Sequence, residues 1–344
     1  MTTPIRLLLV GTGQMGAGIA RLALGKPRLA LVGVWARRAD RAGHDAGPLL
    51  GLGRDIGLPI AGDLAELVRS SRPQVAIQAT CSRLVDAFDE IALLLQAGVN
   101  VISIAEEMAW PAAASPALAA RLDALAVENG ASLVGTGVNP GFVLDWLPIV
   151  LSGACAEVRA VHAERVNDLS PYGPTVLRGQ GVGLTPAQFE TGLRDGSVVG
   201  HLGFPQSIRM IAAALGWEIE RLEEQREPIV STVPRRTPFV QVETGQVAGC
   251  RHTATAWSRG RPVITLVHPQ QIHPGLEGVR TGDSIRLEGT PVIHLAGSPE
   301  IPGGIATQAL AVNLVPRILD AAPGLHAVTD LPPAHALPGG PVDA

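Results

Sequence analysis

The sequence predicts an α/β chain in two parts, a parallel sheet with helices on both faces followed by an α+β domain built on a mostly antiparallel sheet. Three observations carry this. The first third alternates short, wholly apolar runs with stretches of helical spacing, the pattern of strands buried on both faces and joined by crossover helices. A glycine-rich turn, GTGQMG, joins the first run to the first helix. Beyond Gly141 the apolar runs follow one another with turn signals such as SRGRP and EGTP between them, which reads as antiparallel hairpins. A chain of 344 residues can bury two cores, and the texture divides it into residues 1–140, residues 141–304 and a helical segment, 305–332, that returns to the first domain.

Taken in order, Ile5 to Val10 is the first strand and Ala17 to Leu24 the first helix, with Ala30 to Trp35 a second buried strand after Lys26-Pro27. DLAELVRS at 63–70 has helical spacing; strands Val75 to Ala79 and Val99 to Ile104 flank a helix at Leu84 to Ala97. A helix at Leu118 to Asn129 and a strand at Ser132 to Gly135 close the first domain. In the second, Glu157 to Asn167, Phe239 to Val247, His252 to Trp257, Pro262 to Pro269, Ser284 to Leu287 and Val292 to Ala296 read as strands, and Pro186 to Asp195 and Pro205 to Leu215 as helices. Ala306 to Leu319 is apolar on helical spacing, and the tail LPPAHALPGGPVDA is expected to fray. No internal repeat is visible.

Composition excludes several function classes. Hydrophobic residues make up 46% and charged ones 17%, which is ordinary for a globular chain and not for a disordered one. A formal net charge of −4 leaves no basic footprint for nucleic acid. Cys81, Cys155 and Cys250 stand far apart, which fits a reducing compartment and argues against structural zinc. His268 and His273 lack a carboxylate or cysteine partner at ligand spacing, so no metal is expected. The start MTTPIRLLLVGTG lacks a cationic leader and a cleavage site, and no apolar run is long enough to span a membrane. The expected location is the cytoplasm.

Gly11, Gly13 and Gly16 form GxGxxG between strand and helix, the dinucleotide fingerprint of a Rossmann domain. The first glycine permits the tight turn, the second lets a pyrophosphate approach, and the third lets helix and strand pack closely. Thr12, Gln14 and Met15 complete the loop and open the helix, whose N-terminal amides face the phosphates. The bland reading is a structural turn. An NAD site commonly places Asp or Glu at the end of the second strand; here Arg37 and Arg38 follow Trp35 and Ala36. Guanidinium groups there suit a 2′-phosphate, so NADPH is the expected cofactor, with NADH use left open by Asp40. A solvated basic turn is the alternative. Ligands collect beyond the carboxyl ends of parallel strands. That puts Thr80, Cys81 and Ser82 on the ribose and nicotinamide side, Glu106 and Glu107 beside the nicotinamide, and Asn139 with Pro140 at the floor of a substrate pocket.

GTGQMG, ATCS, AEEMAWP and GTGVNPGF, with NDLSPYGP, GHLGFPQSI and the 305–332 run, together resemble the amine dehydrogenases related to 2,4-diaminopentanoate dehydrogenase, which are relatives in fold of dihydrodipicolinate reductase. The resemblance spans almost the whole chain and specifies the family better than the substrate. It implies NAD(P)H-dependent reductive amination of a small aldehyde or ketone with ammonia, and the reverse deamination. It also implies a catalytic glutamate in the AEE segment and a homodimer. In related oxidoreductases with an AEKP-like run a lysine stands where this chain has Glu107, so Glu107 is the first candidate and Glu106 the second.

The chemistry wants an anion there. Only free ammonia attacks a carbonyl, so a glutamate could take the proton of a bound ammonium and return it as the carbinolamine loses water. The same charge would then stabilise the iminium, which a lysine would repel. The bland reading of the pair is acids at a helix N-terminus. Pocket candidates are Asn139, Phe142, Trp146, Asn167, Tyr172 and His201; core packing, a turn tyrosine and a capping histidine are the plain readings of several. Asn313, taken to open the returning helix with Thr307, is the candidate for the nicotinamide amide. Two alternatives remain: a diaminopentanoate-type enzyme, whose substrate carboxylate would need a cation such as Arg165 or Arg178, and a non-catalytic NADP-binding sensor.

Overall fold

Ile5–Val10 forms strand β1, in which Leu7, Leu8, Leu9 and Val10 are all buried, as a strand covered on both faces requires. The computed structural model describes residues 3–339. After β1 come helix α1 (Gln14–Leu24), β2 (Leu29–Trp35), a short α2 (Ala46–Leu49) and β3 (Ile60–Ala61). There follow α3 (Leu64–Ser71), β4 (Val75–Gln78), α4 (Leu84–Gln96), β5 (Asn100–Ser103), α5 (Pro116–Glu128) and β6 (Ser132–Gly135). Local chemistry starts two of these helices: the Asp63 side chain accepts from the Glu66 amide at α3, and the Ser115 hydroxyl from Leu118 at α5, with Pro116 in its first turn.

All pairings among these strands are parallel. The chain runs from β1 outward to β2 on one side, then crosses to β4 on the other, so the switch of direction lies between β1 and β4. That crevice holds the glycine loop and the turn after β4.

The second unit covers Val143–Ile301. It contains α6 (Trp146–Ser152), β7 (Glu157–Asp168), α7 (Pro174–Gly179), α8 (Pro186–Asp195), α9 (Phe204–Leu215) and β8 (Arg221–Val230). A two-stranded ribbon of β9 (Arg235–Arg236) and β10 (Gln241–Val242) precedes β11 (Val247–Ser258), β12 (Arg261–Gln271), β13 (Gly282–Thr290) and β14 (Ile293–Gly297). The main sheet runs β14-β13-β7-β12-β11-β8 and is antiparallel except for the β12–β7 pair. Its strands alternate as a one-sided core demands: Ala163, Arg165 and Asn167 are buried while Glu164 and Val166 between them are half-exposed.

One expectation is corrected here and one element was not anticipated. Phe239 to Val247 is not one strand, because Glu243 to Gln246 turn back through Gly245, whose φ of 88° is left-handed and whose amide reaches the Ser231 carbonyl. The strand β8, RLEEQREPIV, goes unread in the sequence because its charges suggest solvent. Among the described residues it pairs only with β11, so it is an edge strand, and charge on its outward face is what keeps such an edge soluble.

The chain then rejoins the first unit, which comprises Met1–Phe142 and Pro302–Ala344. Helix α10 (Gly303–Asn313) lies along α1, and α11 (Val315–Leu319) follows. The return is more than helical: β15 (Gly324–His326) pairs in parallel with β6 and makes the sheet seven-stranded. The tail does not fray through Gly339. Leu331 and Leu337 are buried, Lys26 Nζ donates to the Leu337 carbonyl at 2.8 Å, and the Leu337 amide donates to Asn313 Oδ1 at 3.0 Å. Residues 340–344 of that predicted tail lie outside the described residues.

Candidate active site at the carboxyl edge of the parallel sheet

Each loop glycine has a separate physical reason. Gly11 has φ 115°, and a β-carbon on it would stand 2.6 Å from the Ala79 carbonyl oxygen of the turn after β4. A β-carbon on Gly16 would stand 2.1 Å from the Gly11 carbonyl oxygen. Gly13, the residue before α1, would meet nothing within 4 Å. Gly13 and Gln14 are exposed and Met15 is half-buried, so the N-terminus of an eleven-residue helix faces open space and fits a pyrophosphate. Thr12 is turned inward, its carbonyl and hydroxyl accepting from Arg41 Nη1 at 2.7 and 2.6 Å.

The two arginines after β2 differ. Arg38 is largely exposed and pairs with the equally exposed Asp40, whose carboxyl is held below its usual range by that arginine. Arg37 turns inward: its Nε and Nη2 donate to Glu90 Oε1 at 2.9 and 2.6 Å, and Nη2 also reaches the Asp86 carbonyl at 3.0 Å. Glu90 Oε2 accepts from the Thr80 hydroxyl at 2.6 Å, and Gln78 Nε2 lies 2.6 Å from the same hydroxyl. Ser103 then donates to Gln78 Oε1 at 2.6 Å. The ends of β2, β4 and β5 are thereby tied through one buried carboxylate on α4. Thr80, expected on the ribose, has its hydroxyl committed to this network. Cys81 is half-buried beside it, with Gln78 Nε2 3.5 Å from its sulfur.

The acids beyond β5 are also unlike. Ala105 is extended and residues Glu106–Ala109 make a short 3₁₀ turn. Glu107 donates its amide to the Ser82 carbonyl at 3.2 Å and accepts the Leu84 amide on Oε2 at 2.7 Å. It therefore caps α4, whose own preceding residue, Arg83, supplies no side-chain cap. The Glu106 carboxyl caps no helix. Desolvation raises its pKa, hydrogen bonds from its own backbone amide and from Ser82 oppose the shift, and the Glu107 charge adds to it. Some of its surface stays accessible, yet protein atoms crowd the carboxyl closely enough for desolvation to dominate.

Past β6, the Val138 amide donates to the Thr307 hydroxyl at 3.0 Å, Asn139 and Phe142 are half-buried, and the Asn139–Pro140 peptide is cis. Asn313 is placed elsewhere. It is the last residue of α10, not an opening one, and its Oδ1 holds the Leu337 amide at the Lys26 end of α1, the end away from the glycine loop. Gln308 is the polar side chain of α10 that packs on α1: its side-chain amide sits where a β-carbon of Gly18 would be and lies 4.0 Å from the Met15 sulfur.

In the second unit, His268 Nε2 is 3.1 Å from Asn167 Oδ1, and the His201 ring lies 4.9 Å from the His268 ring and 4.8 Å from Phe204. The His201 amide donates to His252 Nδ1 at 3.1 Å. Burial pushes the pKa of His201 and of His252 down to about 3, with the Arg165 and Arg226 charges adding for His201, so both rings are neutral. Trp146 opens α6, its amide held by Asp145 at 2.6 Å, and Tyr172 packs with Leu169, Leu177 and Val240. Asn167 and His201 thus share a cluster around His268. Arg165 is 2% exposed and closed by Asp283 at 2.7 Å and the Ile301 carbonyl; Arg178 is exposed. No group of three or more potential metal ligands forms among the described residues.

Sequence reasoning missed Glu90, Gln78, Ser103 and Arg41. A signal existed for the first. Glu90 falls three residues after Ala87 and four before Leu94, on the apolar face of α4, where a carboxylate needs a partner.

Comparison with known proteins identifies the family. Residues 142–343 match the family described as 2,4-diaminopentanoate dehydrogenase C-terminal domain, and residues 5–104 match dihydrodipicolinate reductase, N-terminus. The chain is 41% identical over 340 residues to 2,4-diaminopentanoate dehydrogenase of Acetoanaerobium sticklandii, covering 97% of this chain and 95% of that one. It is 28% identical to an amine dehydrogenase of Streptomyces virginiae, covering 95% of this chain and 96% of that one. The solved structure of an amine dehydrogenase from Mycobacterium smegmatis superposes with a TM-score of 0.85 at 28% identity, over 96% of this chain and 97% of the other. A dinucleotide-type glycine loop, paired acids at the neighbouring strand end and a near full-length match at this identity converge on one statement: the chain belongs to the 2,4-diaminopentanoate dehydrogenase family of oxidoreductases.

Proposed function

We propose that the protein is an NAD(P)H-dependent amine dehydrogenase that aminates small aldehydes or ketones with ammonia and runs the reverse deamination, with NADPH preferred. The observation that carries this reading is the unequal pair at the end of β5, where Glu107 is spent on the Leu84 amide and Glu106 keeps a carboxyl with a raised pKa. This reverses the order in which the sequence ranks the two. A carboxyl poised nearer neutrality takes and returns protons more readily than one fixed as a cap. Glu106 would take a proton from ammonium, return it as the carbinolamine loses water, and hold the iminium by its charge; Ser82 orients it and Glu107 fixes the turn. The glycine loop and the α1 amides fit the pyrophosphate, and Arg37 fits a 2′-phosphate. The reduced nicotinamide supplies the hydride.

Purified protein mixed with NADPH, ammonium and a panel of carbonyls should consume NADPH only when amine donor and carbonyl are both present. Consumption without ammonium would make it a carbonyl reductase. Tight NADPH binding with no turnover on any substrate would make it a sensor.

A second reading is a diamino-acid dehydrogenase, favoured by the 41% identity to the Acetoanaerobium sticklandii protein. Its carboxylate anchor would not be Arg165, which Asp283 already neutralises. Turnover confined to diamino acids in the deaminating direction would select it.

A further inference from the structure

Glu90 is a buried carboxylate, 8% exposed, in the middle of a helix, and nothing in the amination chemistry calls for it. Leaving such a group ionised in the core costs several kcal/mol unless charge and hydrogen bonds compensate. Here they do. Oε1 holds two nitrogens of Arg37, and Oε2 holds the Thr80 hydroxyl, which Gln78 and Ser103 in turn keep in place. The consequence falls on Arg37. Its Nε and Nη2 edge is fixed by Glu90 and the Asp86 carbonyl, with the Thr80 hydroxyl at 3.4 Å and Cys81 alongside, while Nη1 lies on the opposite edge and the side chain is 50% exposed at the end of β2. Arg38, by contrast, is held only by an exposed pair with Asp40, which costs little to open and orders little.

Resting on the nucleotide reading above, we propose that Glu90 is a positioning residue for cofactor discrimination: it holds the Arg37 guanidinium so that Nη1 meets the 2′-phosphate of NADPH. The physical gain is preorganisation. A free arginine side chain loses rotamer entropy when a ligand fixes it, and a guanidinium already clamped along one edge loses less. Clamping could in principle work against phosphate, because Glu90 also brings a negative charge to the corner. Reach and charge are therefore separated by two substitutions. Glu90→Asp keeps the charge but is one methylene too short to hold both Arg37 nitrogens. Glu90→Gln keeps the reach and removes the charge.

The test is calorimetric binding of 2′,5′-ADP and of 5′-AMP to the full chain, which reports the 2′-phosphate alone and needs no turnover. Glu90→Asp should lower the preference for 2′,5′-ADP by about tenfold, Arg37→Met by at least as much, and the double variant by no more than Arg37→Met alone, since coupled residues are not additive. A merely structural role would weaken both probes alike and leave their ratio unmoved, which would overturn the proposal, as would a ratio that rises. If Glu90→Asp fails to fold, Glu90→Gln must still lower the ratio by about threefold, because a neutral acceptor holds the guanidinium less firmly and this loss outweighs the relief of charge repulsion on the phosphate. An unchanged ratio there would overturn it too. Wild-type protein that binds both probes equally defeats this proposal and leaves the nucleotide reading standing; wild-type protein that binds neither defeats the nucleotide reading itself.

Discussion

The carboxyl edge of the parallel sheet and the histidine cluster of the second unit treat polarity in opposite ways. At the sheet edge, Glu90, Thr80, Gln78 and Ser103 satisfy one another, and Glu90 clamps one edge of the half-exposed Arg37. In the second unit, His201, His252 and His268 are packed ring against ring with Phe204, and burial removes their charge. One region stores charge by pairing it. The other keeps polar atoms by neutralising them. The two regions shift their titrating groups in opposite directions: burial raises the Glu106 carboxyl above its ordinary value and holds the His201 and His252 imidazoles at about 3, where they stay neutral.

The comparison breaks most sharply at Glu106. Glu106→Gln should cut amination turnover by about 10²- to 10⁴-fold, whereas Glu107→Gln should act mainly on stability, lowering the unfolding free energy by roughly 1–3 kcal/mol through the weakened Leu84 cap. Steady-state rates and urea midpoints for the two variants decide this, and a larger rate loss at Glu107 would restore the order the sequence suggests. The acid limb of the rate profile should sit above the ordinary carboxyl value of 4.5, because burial raises the Glu106 pKa, and should vanish in Glu106→Gln.

The next effect belongs to the loop. Gly16→Ala would force a β-carbon to 2.1 Å from a backbone oxygen, costing about 1–3 kcal/mol as the strand and helix are pushed apart, and nucleotide affinity should fall with it. Gly13→Ala should leave the thermal midpoint unchanged while weakening nucleotide binding, since open space on the protein side is where the phosphates pass. Equal destabilisation by both would show that the loop is a structural turn.

The histidine cluster yields a pH effect of fixed sign. Its folded pKa values are depressed from 6.5 to about 3 for His201 and His252, so the unfolded chain binds more protons between those values. Stability should be full above pH 6.5 and fall as pH drops toward 3, with a slope of up to about 1.4 kcal/mol per pH unit for each ring. Denaturation midpoints at pH 7.5, 6 and 4.5 test it; a flat profile would mean that the rings are reached by water. The smallest effect is at Arg38, where Arg38→Ala should not move the urea midpoint measurably, because both members of its ion pair are solvated.

Much of the fold was readable because period and punctuation agree. Ile5–Val10, Ser132–Gly135 and Pro186–Asp195 fall where apolar runs, GTG, and a threonine–proline start place them. What resisted reading depends on partners far along the chain. The charged β8 is a strand only because β11 lies beside it, and the two-residue β10 is short because Gly245 bends back to Ser231. The site divides the same way. The glycines and paired acids announce themselves locally, while the choice between Glu106 and Glu107 rests on Leu84, 23 residues away, and the role of Arg37 on Glu90, 53 away. Asn313 was misplaced because helical spacing gives the length of a returning helix and not which end meets the loop.

Strand β15 closes the edge of β6, and α10 covers the glycine-lined side of α1. Both are made after the whole second unit. At synthesis rates of about 5–20 residues per second, the nascent first unit waits on the order of ten seconds for the pieces that complete it. During that interval β6 offers unpaired backbone to any passing strand, so the ribosome-bound intermediate, rather than the finished protein, is where chaperone protection matters most.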